Sequence, residues 1–240
     1  MDHHELILRR HDAAAALGMR AGIEPVYVAS HADRIAVDPF SHPDRFWQRL
    51  VDMYAQAPGF VLVSGSIAGR LIGYGFGCTR SAERAAEIWS EIRAALPDLA
   101  IPAGPQPVFI FNEFAVHPGH QNRGYGRTIL DALLAGRREP VANLFVRPEN
   151  PARAHYLAWG WRKIAERKPF ADSPTFDSLI KDLRVTANWT RAAAGSGGDG
   201  PGSDQVDGAP PAVQDSTGVE AFPPARKPKV VDPPAGSVAL

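Results

Sequence analysis

The spacing of apolar residues predicts a strand and two helices in the first 60 residues. ELILRR, residues 5–10, has a strand-like composition. HDAAAALGMRAG, residues 11–22, is rich in strong helix formers, with His11 or Asp12 as its cap and Gly22 near its end. SHPDRFWQRLVDMYAQAPG, residues 41–59, repeats apolar residues at helical spacing, with Phe46, Leu50 and Met53 on one face and Pro58-Gly59 as the stop.

The next segment predicts an antiparallel hairpin followed by a helix. Two β-rich runs in residues 60–78 flank SGSIAG, residues 64–69, which indicates a hairpin with a longer loop. SAERAAEIWSEIRAAL, residues 81–96, predicts a helix with Ser81 as its cap. GYGFG, residues 73–77, is not a phosphate loop, because its glycines alternate along a strand, where they mark close backbone packing.

From residue 107 onward, strands and helices alternate. PVFIFNEFAV predicts a strand over residues 108–116, GYGRTILDALLAG a helix closed by Gly136, VANLFVRP a strand, and ARAHYLAWG a helix ending at Gly160. WRKIAERKPF and TFDSLIKDL add two strands. Strand, helix, strand is the order of a parallel crossover unit, so we expect an α/β fold with a mixed sheet.

The composition changes after Trp189. Between Arg191 and Leu240, 16 of 50 residues are Pro or Gly, and the few large apolar residues follow no period. Such a segment cannot bury enough apolar surface to offset the entropy of ordering itself. We therefore expect a folded domain at residues 1–186 and a disordered tail at residues 187–240.

Charge and cysteine content exclude several function classes. The chain has 26 Lys and Arg against 26 Asp and Glu, so nothing predicts a broad surface for nucleic acid, and any anion site must be local. The single cysteine cannot form an intrachain disulfide, and the N-terminus does not resemble a secretion signal, so we expect a cytoplasmic protein. No apolar run approaches the roughly 20 residues that span a bilayer, and no His or Cys spacing predicts a metal site.

A candidate anion site lies in HQNRGYGRTIL, residues 120–130. Its glycines fall where a strand gives way to a helix, so the unpaired N–H groups of the first helical turn can face a phosphate. Arg123 and Arg127 flank these glycines and favour a multiply charged group such as a pyrophosphate, while the Gln121 amide can tie the loop down. The segment fits neither the nucleotide-binding loop nor the dinucleotide fingerprint, because the required lysine and third glycine are missing.

These residues resemble motif A of the GNAT superfamily of acyl-CoA N-acyltransferases. In VHPGHQNRGYGRTILDALL, Gln121, Gly124 and Gly126 occupy the three named positions of that motif. VRPENPARAHYLAWGWRKI resembles motif B, with Asn150, Tyr156 and Gly160-Trp161 at its characteristic positions. The resemblance covers residues 5–183. It implies a GNAT-type mixed, strongly twisted sheet of about seven strands, with helices on both faces and a splay between the fourth and fifth strands.

The resemblance implies acetyl-CoA as cosubstrate and an enzyme that needs no metal. Backbone N–H groups of Asn122, Arg123, Gly124, Tyr125, Gly126 and Arg127 would hold the pyrophosphate, and the backbone of Phe114, Ala115 and Val116 would meet the pantetheine arm. The N–H of Phe114 would also polarise the thioester carbonyl. Asn150 is a further candidate coenzyme contact, although motif B here lacks one residue between this Asn and Tyr156, so Glu149 is the alternative.

Two side chains are candidates for proton transfer. An amine attacks only when neutral, and Glu113, beside the expected bulge of the fourth strand, is the candidate base; the alternative is that it pairs with a cation without titrating. Strand alternation does not decide between these roles, because a bulge changes the face on which a residue lies. Tyr156 resembles the family's general acid, which protonates the departing thiolate; the alternative is a packing role.

The acceptor is less defined by the sequence than the donor. We expect direct transfer in a ternary complex to a small-molecule primary amine, by a monomer or homodimer that binds neither nucleic acid nor membrane. Relatives that acetylate ribosomal proteins carry a glutamate on the fifth strand, where this chain has Leu144 or Phe145. Two alternatives remain: a protein lysine acetyltransferase with an open groove, and a non-catalytic acyl-CoA-binding regulator.

Overall fold

The described residues form one mixed β-sheet of seven strands. The structure is a computed structural model of the 240-residue chain and describes residues 5–168 and 175–184. The strand order is β1-β2-β3-β4-β5-β7-β6, and every neighbouring pair is antiparallel except β4 and β5. The strands are β1 Ile7–His11, β2 Val61–Ile67, β3 Arg70–Arg80, β4 Val108–Val116, β5 Val141–Val146, β6 Arg162–Arg167 and β7 Phe176–Asp182. The α/β fold with a mixed sheet is confirmed, whereas the predicted tail at residues 187–240 lies outside the described residues.

Helices cover both faces of this sheet. The α-helices of the described residues are α1 Ala13–Leu17, α2 Arg20–Ser30, α3 Ala32–Ile35, α4 Pro43–Arg49, α5 Ala86–Ala95, α6 Tyr125–Leu134 and α7 Ala152–Ala158. Short 3-10 turns occupy Pro39–Ser41 and Pro118–His120, and a π-helical turn at Leu50–Tyr54 continues α4. None of the described helices is both long and apolar enough to cross a membrane.

A bulge in β4 determines which residues face which helices. Phe76 pairs with Glu113 but Gly77 pairs with Phe111, so Asn112 is an extra residue in the β4 strand. Before the bulge, Phe109 and Phe111 pack with α6 and α7; after it, Val116 joins that cluster, while Ala115 packs on the opposite face with α2 and α4. The bulge therefore turns Glu113, two positions before Ala115, toward the α2 face.

Three glycines of β3 allow this close packing. A Cβ at Gly77 would lie 2.4 Å from the Ile110 carbonyl oxygen and 2.5 Å from Phe109 Cζ, and one at Gly73 would lie 3.0 Å from the Ala115 oxygen. At Gly75 a Cβ would lie 3.2 Å from the Phe114 ring. The predicted role of GYGFG in close backbone packing is confirmed, because a side chain at Gly77 would collide with β4 and one at Gly73 or Gly75 would be tightly crowded.

The parallel strands β4 and β5 separate soon after they meet. Their ladder pairs Phe109 with Ala142 and Ile110 with Asn143, and no later pair forms within the described residues. Beyond Ile110, the β5-facing edge of β4 therefore has no sheet partner. The predicted splay between the fourth and fifth strands is confirmed.

Two helix predictions near the N-terminus are wrong in detail. The helix predicted to end near Gly22 instead breaks at Gly18-Met19, and α2 then runs through Gly22 and Pro25 to Ser30. Of the two candidate caps, Asp12 is the observed one, since its side chain accepts the Ala15 N–H at 2.8 Å. The short helix α3 was not predicted, because ASHADRIA has neither a clear apolar period nor a stop signal.

Three further boundaries differ from prediction. The helix predicted through residue 57 becomes π-helical at Leu50, so Met53 is only partly buried while Phe46 and Leu50 are core residues. The hairpin loop is not SGSIAG but its last two residues, Ala68 and Gly69, both with positive φ, which is the geometry of a tight hairpin turn. Helix α5 starts after Ala85 rather than at the predicted Ser81 cap.

Candidate active site

A cavity of about 1130 Å³ opens where β4 and β5 separate. One end, the donor half, is bounded by the loop before α6 and by the start of α7. The other end, the acceptor half, is bounded by residues of α2, α3 and α4 and by the end of β5. The predicted site residues that line the cavity are Glu113, Phe114, Ala115, Val116, Gln121, Asn122, Gly124, Gly126, Arg127, Asn150 and Tyr156.

The loop before α6 leaves the backbone of Gly124 open to the cavity. His117 caps a 3-10 turn by accepting the Gly119 N–H at 3.2 Å, and Gln121 Nε2 donates to the Val116 carbonyl at 2.9 Å, as expected for a side chain that ties the loop down. Gly124 has φ of +83° and begins α6, and a Cβ placed on it meets no atom within 4 Å. This opening lies at the N-terminus of a ten-residue helix, where unpaired N–H groups bind anions.

The two arginines of this loop are placed differently. Arg127 lines the cavity, and its Nε lies 3.6 Å from Asp131 in an exposed i,i+4 pair. Arg123 is exposed and does not line the cavity, and Tyr125 also lies outside it, with its ring 6.3 Å from that of His120. Arg123 and Tyr125 can therefore contribute to an anion site through their backbone N–H groups but not through their side chains.

The end of β4 presents backbone to the cavity. Phe114, Ala115 and Val116 pair with β3 on one side and face the separation from β5 on the other. The Phe114 N–H, predicted to polarise the thioester carbonyl, donates to Oε1 of Glu113 at 3.1 Å. The Phe114 ring lies against Gly126, where a Cβ would be 3.1 Å from Phe114 Cζ, so the strand end and the loop are in direct contact.

Glu113 is held by a second group, at the end of α2. His31 Nε2 lies 3.4 Å from the same Oε1, and the imidazole is only 6% exposed. The other ring nitrogen lies 3.0 Å from the Tyr27 carbonyl and 2.8 Å from Ser30 Oγ, and the ring stacks on Tyr27 with centroids 4.3 Å apart. These contacts fix the orientation of the imidazole toward the carboxylate.

The surroundings of Glu113 keep it ionised. Burial acts to raise the pKa of this carboxyl, but the hydrogen bond to His31 and the charges of His31 and Arg34 hold it below its ordinary value. An ionised carboxylate beside a cavity has the correct protonation state to accept a proton from an amine. Glu113 thus lies beside the bulge, as predicted, and its ionised carboxylate lines the cavity.

Tyr156 lies on α7, on the β5 side of the cavity. Its ring is buried and packs edge-on against Phe111, Trp159 and Trp161 with centroid distances of 6.2, 6.0 and 6.0 Å. Burial, and secondarily the charge of Glu113, raises the pKa of its hydroxyl well above the ordinary value. The phenol is therefore protonated at neutral pH, as a proton donor must be, and the packing predicted as its alternative role is present as well.

Asn150 uses its side chain within the protein. Its Oδ1 accepts the Ala152 N–H at 2.9 Å, which stabilises the first turn of α7. Asn150 and the predicted alternative Glu149 both line the cavity. The shortened loop thus keeps the asparagine at the cavity while its carbonyl oxygen is already bonded.

The acceptor half contains polar residues that the sequence did not single out. Besides His31 it includes Arg34, Arg49 and Arg147; Arg147 lies 3.2 Å from Asp38, and Arg49 donates to the Phe40 carbonyl at 2.9 Å. No sequence signal marked these arginines, because they lie in different elements of the chain and meet the site only through long-range folding. Among the described residues, no group of three or more His, Cys, Asp or Glu side chains is placed to hold a metal ion.

The bulge at Asn112 has a side-chain partner in β3. Cys78 Sγ lies 3.2 Å from Asn112 Oδ1, and Asn112 lines the cavity. Burial raises the pKa of the Cys78 thiol to about 11, so it stays protonated and can donate to that oxygen. Cys78 is therefore a buried packing residue that also supports the bulge.

The sequence and the fold were compared with known proteins. The model of the family described as "Acetyltransferase (GNAT) family" matches residues 23–161. A search of curated proteins finds no match. Solved structures with the same fold include PH1933 from Pyrococcus horikoshii OT3, with 15% identity, a TM-score of 0.51, and 74% of this chain and 98% of that chain covered.

Two other solved structures resemble this chain at similarly low sequence identity. The ribosomal-protein-S18-alanine N-acetyltransferase from Escherichia coli has 15% identity and a TM-score of 0.46 over 73% of this chain and 91% of its own. An acetyltransferase from Thermus thermophilus has 18% identity and a TM-score of 0.48 over 75% and 99%, respectively. At these identities the likeness concerns the fold alone.

Proposed function

Because this chain belongs to the GNAT family of acetyltransferases, we propose that it transfers the acetyl group of acetyl-CoA directly to a primary amine of a small molecule. The observation that carries this proposal is the continuous cavity that joins the open loop before α6 to the carboxylate of Glu113 and the hydroxyl of Tyr156. Donor, acceptor and both proton-transfer groups can therefore meet in one ternary complex, without a covalent enzyme intermediate.

The donor half fits coenzyme A. The N-terminus of α6 and the open backbone at Gly124 suit the pyrophosphate, because N–H groups without helical partners surround it there. The pantetheine arm then follows the separation between β4 and β5, which is lined by Phe114, Ala115 and Val116. Asn150 and Gln121 border this path.

The reaction needs two proton movements. The acceptor reacts as the neutral amine, its ammonium form having first lost a proton to water. Glu113 accepts the second proton, directly or through a water molecule, while the amine nitrogen forms a bond to the acetyl carbonyl carbon. The Phe114 N–H stabilises the negative charge that develops on the carbonyl oxygen. As the carbon–sulfur bond breaks, Tyr156 gives its proton to the departing thiolate. Protons balance over the cycle when Glu113 then releases one proton to solvent and the Tyr156 phenolate takes one up.

The acceptor half favours a small molecule over a protein side chain. Residues from α2, α3 and α4 cover this end of the cavity, together with Phe40 and Arg147, where a protein substrate needs an open groove. A compact amine can enter a space lined in this way. A lysine on a folded protein would have to displace these segments.

Release of free thiol from acetyl-CoA tests the proposal. Full-length protein is incubated with acetyl-CoA and a panel of small amines, lysine-containing peptides, or no acceptor. Turnover with a small amine supports the proposal, whereas turnover confined to peptides supports the lysine acetyltransferase instead. Acetyl-CoA binding measured by calorimetry without turnover on any acceptor would indicate a non-catalytic regulator.

A further inference from the structure

One arginine in the acceptor half has neither an ion pair nor a side-chain hydrogen bond among the residues that the structure describes. Arg34 lies on α3, and its half-buried side chain lines the cavity. Within residues 5–168 and 175–184, its guanidinium makes no ion pair and no side-chain hydrogen bond, whereas the other three arginines of the cavity, Arg49, Arg127 and Arg147, each contact an acceptor group. A half-buried guanidinium that lines a cavity without an anionic partner is available to bind an anion.

The position of Arg34 places this charge next to the proposed base. Arg34 follows His31 by three residues, and its backbone N–H donates to the His31 carbonyl at 3.0 Å, so both belong to one helical turn that faces β4. His31 in turn contacts the Glu113 carboxylate at 3.4 Å. The charge of Arg34 also contributes to lowering the pKa of Glu113, after the contribution of His31.

Arg34 is not required as the counter-ion of Glu113. The Oε1 of that carboxylate already accepts the Phe114 N–H and contacts His31, and no ion pair within 4.0 Å joins Glu113 to Arg34. The acceptor half thus presents a carboxylate and a separate, unpaired guanidinium to the same space. A molecule with an amine near one end and an anionic group near the other is complementary to this pair.

We propose that the acceptor amine carries a carboxylate, which Arg34 binds while Glu113 receives the proton of the amine. This inference rests on the proposed function and names the substrate class of its acceptor. A planar monoanion suits a single free guanidinium, because the two can form parallel hydrogen bonds. A polycationic amine is disfavoured, since Arg34, Arg49 and Arg147 all line the space that it would enter.

Matched acceptors test the substrate class. Initial rates of thiol release are compared for amino acids, the corresponding amino acid amides, the corresponding amines without the carboxylate, an amino alkyl phosphate, and an aminoglycoside. The amino acids should exceed their amides in kcat/KM by about tenfold to a hundredfold, which is the range for one charge-assisted hydrogen-bonded pair. Higher rates with the phosphate or with the aminoglycoside would overturn the assignment of a carboxylate.

The Arg34→Gln variant tests the residue. Its kcat/KM for amino acids should fall by about the same factor, almost entirely through a rise in KM. Its kcat/KM for the amides should not change. Arg34→Lys, which keeps the charge without the planar donor pair, should recover part of the loss. Arg45→Gln, which changes an exposed arginine outside the cavity, is the matched control and should behave as the unmodified protein.

The outcomes separate this inference from the proposed function. Neutral amines that react as fast as amino acids would overturn the role of Arg34 while leaving small-amine acetylation intact. An equal loss on acids and amides in Arg34→Gln would also overturn it, and coenzyme A binding by calorimetry shows whether the variant is folded. No turnover with any amine in the panel would count against the proposed function itself.

Discussion

The backbone N–H of Phe114 is bonded to the side chain of the preceding residue, Glu113, at 3.1 Å. The N–H proposed to polarise the thioester carbonyl is thus hydrogen-bonded to the carboxylate proposed as the base. A thioester carbonyl that accepts this N–H has to displace the carboxylate, which keeps its contact with His31. Binding of the acetyl group and release of the base are therefore coupled.

Glu113→Ala should change the preference between acetyl-CoA and coenzyme A. Without the competing carboxylate, acetyl-CoA gains the whole Phe114 hydrogen bond, while coenzyme A, which has no acetyl carbonyl, gains nothing. We expect the ratio of their Kd values to shift toward acetyl-CoA by about twofold to tenfold, the range of one neutral hydrogen bond. Isothermal titration calorimetry with each ligand measures it.

Glu113→Gln is the matched control for that ratio. Its amide oxygen can still accept the Phe114 N–H, so its ratio should stay near that of the unmodified protein while its turnover falls, because an amide is not a base. Unchanged turnover in Glu113→Gln would show that the carboxylate is not the base. An unchanged Kd ratio in Glu113→Ala would show that acetyl-CoA does not use this N–H.

His31→Gln should move the pH dependence of activity. The imidazole helps to hold the pKa of Glu113 below its ordinary value, and a base works only above its pKa. Removing His31 raises that pKa, so the acidic limb of the profile of log kcat/KM against pH should move to higher pH. Initial rates across the acidic and neutral range measure the limb.

His42→Gln serves as the control for this profile. His42 is exposed, pairs with Asp44 and lies outside the cavity, so its replacement should leave the limb in place. Lower activity at every pH in His31→Gln without movement of the limb would mean that His31 supports the fold of α2 and does not act on Glu113.

Tyr156→Phe should reduce kcat with little change in stability or coenzyme binding. The phenyl ring keeps the edge-on contacts with Phe111 and Trp161, so we expect the free energy of unfolding to change by less than about 1 kcal/mol. Loss of a general acid should lower kcat by about a hundredfold or more. A stability loss with unchanged kcat would assign Tyr156 to packing alone.

Gly124→Glu should weaken coenzyme A binding through the pyrophosphate. The added carboxylate enters an open space at the N-terminus of α6, where it repels phosphate, while Gly124→Ala adds only the strain of φ +83°, about 1–2 kcal/mol. Pantetheine, which lacks the pyrophosphate, should bind both variants equally well. If Gly124→Glu bound coenzyme A as tightly as Gly124→Ala, the pyrophosphate would lie elsewhere.

Removal of residues 191–240 should leave catalysis intact. The predicted catalytic domain ends at residue 186, and the residues within 5–168 and 175–184 that line the cavity lie between Ala29 and Phe176. Values of kcat and KM for the shortened and complete chains should agree within about twofold, since surface changes away from a site have small effects. A large loss would place part of the active unit in the removed segment.

The sequence predicted the donor half much better than the acceptor half. Strand β4 was predicted at its observed bounds, Val108–Val116, because apolar residues fill it and Pro118-Gly119 ends it. The start of α6 followed from Gly124, since backbone binding of phosphate depends on local chain geometry that glycines reveal. Local rules are sufficient wherever a function uses consecutive backbone groups.

The acceptor half depends on contacts between distant parts of the chain. His31 lies between α2 and α3, and Arg34 lies on α3, in a segment whose sequence has no apolar period. Only the packing of α2 on β4 brings His31 to Glu113. The π-helical turn after Arg49 likewise reflects tertiary packing that overrides a regular helical pattern. Patterns within one sequence do not identify a site residue such as His31, whose partner Glu113 is distant along the chain.

The two-pair ladder between β4 and β5 sets a conflict between robustness and activity. Further pairs beyond Ile110 and Asn143 would satisfy more backbone groups and make the sheet more regular. They would also close the separation between β4 and β5 in which we propose that the pantetheine arm lies. Selection for a more stable chain, without selection for activity, should therefore accumulate substitutions near Asn112 that remove the bulge. Such variants would gain thermal stability and lose enzymatic activity.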